Sequence, residues 1–235
     1  MREARWRDLL VDADAARVIE ALSPYVTERR RARIASVVES RMHGVEVGLE
    51  RPYDPHNAAA VVRSAEITGA GRVHVVEASE RILKAKRTTT GAFHWVETTQ
   101  HAGVEYLVRD ARSRGMLLAG ACVDGDVDLE ALPVERPLCL VFGNEHAGLS
   151  DEAKAAMDLR FSIAMHGFSE SFNLSVSAAI SLYSVTRRRR AALGRAGDLD
   201  VDARHELTAR YYAASVDKRL VRAVIDELGE AQIDD

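Results

Sequence analysis

From Val45 to about Arg190, short apolar runs alternate with turn-rich loops and helix-patterned segments, and this rhythm limits the fold more than any other feature. "VEVGLE", "RVHVVEA", a short run near Trp95, "MLLAGAC", "LCLVFG" and "LRFSIAM" read as strands. Helices are predicted over "AAAVVRSAEITG", closing at Gly69, over Val104 to Arg114, over Asp151 to Met157, and after Asn173. "VDGDVDLEALPVERP" reads as a turn-rich connection. Strands alternating with helices predict an α/β fold: a mostly parallel sheet with helices on both faces.

The flanks have a different texture. Leu9, Leu10, Val18, Ile19 and Leu22 recur at helical spacing, Pro24 interrupts, and a second helix is expected from about Thr27 to Met42. "AALGRAGDLDVD" reads as a linker before helices near Ala203–Ala214 and Val216–Gly229. The expected organisation is an N-terminal helical extension (1–44), an α/β domain (45–190) and a C-terminal helical extension (191–235).

The chain is 47% hydrophobic and 29% charged, enough for a core in a soluble protein. No apolar run approaches the roughly 20 residues that span a bilayer, and the charged start has no signal-peptide core. Cys122 and Cys139 are the only cysteines, too few for a disulfide framework or a Cys-rich zinc site, and the histidines do not fall at metal spacing. A cytoplasmic protein with no membrane contact and no metal is expected. Net charge is -4, yet arginines cluster at Arg29, Arg30, Arg31 and Arg33, and again at Arg187, Arg188, Arg189 and Arg190. These runs are either solvated helix faces or a local contact with a polyanion.

Three loops follow predicted strands, where open parallel sheets bind ligands. In "DPHNAAAVVRSAEITG", Asn57 is placed as a helix N-cap, and Arg63 lies six residues on, beside apolar positions. Arg63 is either a structural ion pair, with Glu66 or Glu77, or a functional cation. In "LVFGNEHAGLS", Gly143 either lets the backbone approach a ligand or takes a positive φ. In "MHGFSESFNLSVSAAISLY", Ser171, Asn173 and Ser175 crowd a helix start, as caps or as ligand contacts. No dinucleotide, phosphate-loop, HExxH or GxSxG pattern is present. Spacing alone points to an α/β domain that binds a small ligand, with RNA contact as one of the two readings of its arginine runs.

Together the loops resemble the three motifs of the SPOUT superfamily of RNA methyltransferases, in its TrmH branch. Asn57-AAAVV-Arg63-SAEIT-Gly69 is similar to the first motif, "LVFGNEHAG" to the second, and Ser171-Phe172-Asn173-Leu174-Ser175 to the third. "TTGAFHWV" resembles a further stretch between them, and Arg187 with Arg189 the pair that ends the last helix. The resemblance implies a C-terminal deep trefoil knot, a feature otherwise nearly absent from proteins. It implies S-adenosylmethionine as cofactor, and a homodimer whose active site takes groups from both subunits.

The activity implied is methylation of a ribose 2′-hydroxyl in structured RNA, foremost the D-loop guanosine at position 18 of tRNA. The alternatives are a 23S ribosomal RNA 2′-O-methyltransferase and a non-catalytic RNA-binding relative. Catalytic roles are implied for Arg63, Asn57, Glu145, Ser171 and Asn173, with Glu145 positioning a partner group. Ala121, Gly143, Ile163, Met165 and Phe172 are implied in holding the cofactor. Arg29, Arg30, Arg33, Arg187 and Arg189 are implied in RNA binding. The chain departs from the family pattern at Ala164, Ser169, Glu170 and Phe172; the bulkier Phe172 predicts a reshaped adenine pocket, and Glu170 places an acidic group where the resemblance implies RNA.

Overall fold

The structure, a computed structural model, describes residues 10, 13–79, 82 and 91–230. The first part of "TTGAFHWV" and the expected helix position Leu9 lie outside the described residues. Compactness divides the chain into Met42–Asp198 and a unit made of Met1–Arg41 with Leu199–Asp235.

The larger unit is a seven-stranded sheet in the order β3-β2-β1-β6-β4-β7-β5, and every described pairing in it is parallel. In chain order its elements are β1 (Met42–Glu50), α3 (Pro55–Thr68), β2 (Ala70–Val76), β3 (Glu97–His101), α4 (Val104–Ser113), β4 (Leu117–Ala121), β5 (Val127–Asp128), β6 (Leu138–Phe142), α5 (Asp151–Ala156), β7 (Leu159–Ser162) and α6 (Leu174–Leu193). The α/β expectation therefore holds. β5 went unforeseen inside the turn-rich stretch, because two residues carry no alternation to read.

Both faces of the sheet are covered, and β6 shows how. Leu138, Leu140 and Phe142 join one apolar core with Val61, Val62 and Ala65 of α3 and Ala178, Leu182 and Val185 of α6. The intervening Cys139 and Val141 join Leu107 and Ala111 of α4 and Ala153 of α5 on the other face. A strand buried on both faces reads as a continuous apolar run rather than an alternating one. Burial pushes the Cys139 thiol well up.

Under α4 lies a buried polar network. His74 Nε2 is 2.8 Å from Glu46 Oε2, and His74 Nδ1 is 2.9 Å from His101 Nε2. Arg114 donates to both Glu46 oxygens, at 3.2 and 2.8 Å, and also pairs with Asp110 at 2.5 Å. Although Glu46, His74 and Cys139 converge, the Glu46 carboxylate is already committed to Arg114 and His74.

The C-terminal arginine run of α6 is largely structural, which corrects the expectation for Arg189. Arg189 is 6% exposed. It donates to the carbonyls of Val134 and Arg136 and to Asp198 Oδ2 at 3.0 Å. Asp198 also accepts from the backbone N–H groups of His43 and Gly44. This closed set keeps Arg189 from RNA phosphates and carries the unit on to Asp198. Arg188 donates to the carbonyls of Leu129 and Leu132, and Arg190 to those of Thr68 and Ala196. Arg187 alone of the four is exposed.

In the smaller unit, α1 (Ala15–Leu22) is capped by Asp14, α2 (Glu28–Glu39) by Thr27, and α7 (Val201–Ala213) by Asp200; α8 is Lys218–Glu230. Val18, Leu22, Ile34, Val38, Leu207, Tyr211 and Val221 are buried there. Short helices depend on tertiary burial of an apolar face, so the two terminal extensions fold as one unit. Arg29, Arg30 and Arg33 are exposed on α2; Arg30 Nε donates to Ser215 Oγ. Arg31 turns inward and donates to the Ser23 carbonyl and hydroxyl.

Candidate active site at the carboxyl ends of the strands

A cleft of about 390 Å³ opens where β4, β6 and β7 end. Its walls include Ala121, Phe142, Gly143, Ile163, Met165, Phe172 and Leu174. All five residues expected to hold a cofactor therefore line one cavity. Glu170, one of the departures from the family pattern, lines it too, as do Cys122, Asp124, His146 and Lys154, which nothing in their local spacing marks.

The loop after β6 is shaped by its own backbone. Asn144 and Gly148 exchange N–H···O bonds at 3.0 and 2.9 Å. A Cβ on Gly143 would collide with the backbone of Gly148 and Leu149, so close approach requires the glycine. The approach is to its own loop, and the positive φ sits at Gly148 instead. Ser150 caps α5 and also donates to the buried Glu50 at 2.5 Å.

Glu145 gathers the first two motifs. Its carboxylate accepts from Tyr53 N at 2.8 Å, Asp54 N at 3.0 Å and Asn57 Nδ2 at 3.0 Å. Burial alone would raise this carboxyl, but the bonds from Asn57 and from the Tyr53 and Asp54 backbone outweigh it and hold it below its ordinary value. Asn57 is thereby corrected as a cap: Asp54 caps α3, and Asn57 sits in its first turn facing Glu145. Pro55 at the helix start explains the shift, because it needs no N–H partner.

The third motif closes the chain of bonds. Asn173 Oδ1 accepts from Ser175 N and Val176 N and so caps α6, while its Nδ2 donates to Asn57 Oδ1 at 3.1 Å. Ser171 and Phe172 line the cleft beside it. Arg63 is not part of this group. It is exposed and, among the described residues, has no ion-pair or hydrogen-bond partner. Glu77 pairs with Arg51 instead, at 2.7 Å.

Residues 44–183 match the model of the SpoU rRNA Methylase family. The chain belongs to this family. The tRNA (guanosine(18)-2′-O)-methyltransferase of Borreliella burgdorferi is 31% identical over 181 residues, 77% of this chain and 83% of that protein. The Escherichia coli K12 protein of the same name is 32% identical, over 69% and 72% of the two chains. Among solved structures, the "A. aeolicus TrmH/SpoU tRNA modifying enzyme" covers 88% of this chain and 98% of its own, with TM-score 0.61 at 22% identity. That likeness speaks to the fold alone. AviRb from Streptomyces viridochromogenes, solved in complex with AdoMet, is 29% identical over 65% of this chain and 62% of its own, with TM-score 0.57. The SpoU fold thus accounts for why three distant loops meet at one cleft.

Proposed function

We propose that this SpoU-family chain methylates a ribose 2′-hydroxyl of tRNA, at the D-loop guanosine 18, with S-adenosylmethionine as donor. The observation that carries the reading is the directed bond chain Asn173–Asn57–Glu145 beside the cleft, in a chain whose similar relatives are named for that reaction.

The cleft fits the donor in size and character. Apolar walls from Ala121, Ile163 and Phe172 suit a purine ring, and carboxylates of Asp124 and Glu170 suit hydroxyls and a cationic tail. The relative AviRb is described with this cofactor. When bound, S-adenosylmethionine supplies a methyl carbon made electrophilic by its sulfonium. The chain's own groups then have to align the acceptor oxygen and ease its proton away.

Glu145 is a positioning residue on this reading, because its carboxylate is ionised and already accepts three N–H bonds. It holds Asn57, which Asn173 orients from the other side. Ser171 and Asn173 stand where a ribose would be fixed. Arg63 holds the phosphate next to the reacting hydroxyl in a bidentate grip and stabilises the developing alkoxide. The proton leaves to that phosphate or to water, since a guanidinium is no base.

The exposure of Arg63 and its absence from the bond chain support a homodimer in which Arg63 serves the partner's cleft. Ile67, Val176 and Tyr183, on α3 and α6, are 70%, 43% and 65% exposed, an apolar surface that a second copy would cover. The sheet order and the family support the trefoil knot. Arg29, Arg30 and Arg33 of the helical unit and Arg187 contact RNA phosphates, and the place of action is the cytoplasm, where tRNA is found. No described helix is long and apolar enough to cross a membrane.

The test is methyl transfer from labelled S-adenosylmethionine to an unmodified tRNA transcript, with the methylated nucleotide mapped. Transfer to guanosine 18 is expected. Label appearing only in ribosomal RNA would replace the substrate, and RNA binding without transfer would remove the enzyme reading.

A further inference from the structure

On the reading proposed above, the ribose of the target nucleotide is held near Asn57 and Asn173, and its base falls among the loop residues around them. Two aromatic rings stand there. His146 lines the cleft, and Tyr53 lies against it edge-on, with ring centroids 5.4 Å apart and an interplanar angle of 69°. Tyr53 is 63% exposed, so the hydrophobic core does not account for its ring.

The backbone under both rings is fixed. Tyr53 N donates to Glu145, the carboxylate that holds Asn57. His146 N donates to Asn144 Oδ1, and Asn144 Nδ2 donates to the Arg51 carbonyl at 2.8 Å. The corner leading into Tyr53 is strained: Arg51 has φ 49°, a left-handed conformation that residues other than glycine rarely adopt. It is clamped by two bonds from its guanidinium to Glu77, which also has φ 49°. Strain kept in place next to a reaction site marks a segment whose aim matters. Here it holds an exposed ring against His146, a residue of the cleft wall.

We infer that Tyr53, braced by His146, is the platform on which the purine base of the target nucleotide stacks once it leaves its own stack, making Tyr53 a specificity-determining residue. The inference rests on the methyl-transfer reading above. A tyrosine gives a rigid, flat surface at low entropic cost, and base–aromatic stacking is the usual way a splayed-out RNA base is held. The larger face of a purine gains more from such a platform than a pyrimidine does.

The experiment compares Tyr53→Phe, Tyr53→Trp, Tyr53→Leu and Tyr53→Ala with the wild type on an unmodified tRNA transcript and on one carrying a pyrimidine at the target position. Cofactor binding is followed by calorimetry. For Ala and Leu, kcat/KM on the purine substrate should fall by about 10- to 100-fold, mainly through a higher KM for RNA, with cofactor affinity unchanged. Phe and Trp should stay within about threefold of wild type, since both keep a stacking face. The purine-over-pyrimidine preference should shrink in Ala and Leu. Because Leu retains bulk, a folding defect confined to Ala leaves the test intact. Wild-type kinetics in Leu, or equal losses in Phe and Leu, overturn the platform. A wild-type protein that transfers no methyl group overturns the reaction itself, a separate outcome.

Discussion

Asn173 Nδ2 donates to Asn57 Oδ1 at 3.1 Å across 116 residues of sequence, and this bond sets which way the Asn57 amide faces. With its oxygen held by Asn173, Asn57 has only its NH₂ to offer Glu145, which as a carboxylate only accepts. The polarity of the whole chain is therefore determined.

Glu145→Gln tests that polarity. An amide replaces one acceptor oxygen with a donor, which leaves a backbone N–H of Tyr53 or Asp54 or the amide of Asn57 unpaired. An unsatisfied donor costs about 1–3 kcal/mol. Chemical denaturation should register that loss, and turnover should fall while cofactor affinity, read by calorimetry, changes little.

Arg63→Ala should lower turnover by at least about 100-fold without weakening cofactor binding, and Arg63→Lys should recover little of it, because an ammonium cannot grip a phosphate bidentately. Mixing Arg63→Ala with Asn173→Ala protein, each inactive alone, should restore about one quarter of wild-type activity when one intact site forms per mixed dimer. Mixtures that stay inactive after subunit exchange would rule out a shared site.

The two expected RNA arginines of α6 should part company. Arg189→Ala leaves Asp198 buried with its counter-charge gone, at a cost of about 3–5 kcal/mol. Arg187→Ala, at an exposed position, should change stability by no more than about 0.5 kcal/mol. It should weaken RNA binding and reduce the salt slope by about one unit. Equal thermal stability of the two variants would contradict the buried clamp.

Acid should destabilise the fold through the network under α4. Burial, the His74 ring and the nearby Arg72 and Arg114 outweigh Asp110 and lower His101 to about 4 from its ordinary 6.5. The unfolded chain therefore takes up this proton first, and stability falls as pH drops from about 6.5 toward about 4. The loss is on the order of 3 kcal/mol. Burial would raise the Glu46 carboxyl, but His74 and Arg114 hold it low; for Asp110, Arg114 and Arg72 do the same. Their contributions are present above the ordinary carboxylate range and lost below it. Melting temperature measured against pH should show both steps, and His101→Gln should flatten the upper one.

Much of the architecture was open to reading along the chain. Leu138 to Phe142 announce a doubly buried strand, and Gly69, with φ 83°, closes α3 where its helix pattern ends. The three loops of the site were legible as loops. Their functions within the site were less so: Asn57 looked like a cap because a polar residue near a helix start usually is one, yet Pro55 moves the cap to Asp54. Arg189 looked like an RNA contact because a run of arginines carries no mark of which side chain turns inward. Tyr53 and His146 share no periodicity and are 93 residues apart, so their edge contact left no trace along the chain.

Local chemistry thus determined what each segment is. Apolar runs have to be covered, glycine permits the turn, and small polar residues cap helices, all within a few residues of sequence. Tertiary structure decided which polar groups face one another. Asn57, Glu145 and Asn173 become one site because parallel strands deliver their carboxyl ends to the same edge. Arg189 becomes a buried clamp because Asp198 and two carbonyls satisfy it there. A hydrogen bond or ion pair depends on distance in space, and separation along the chain does not encode it.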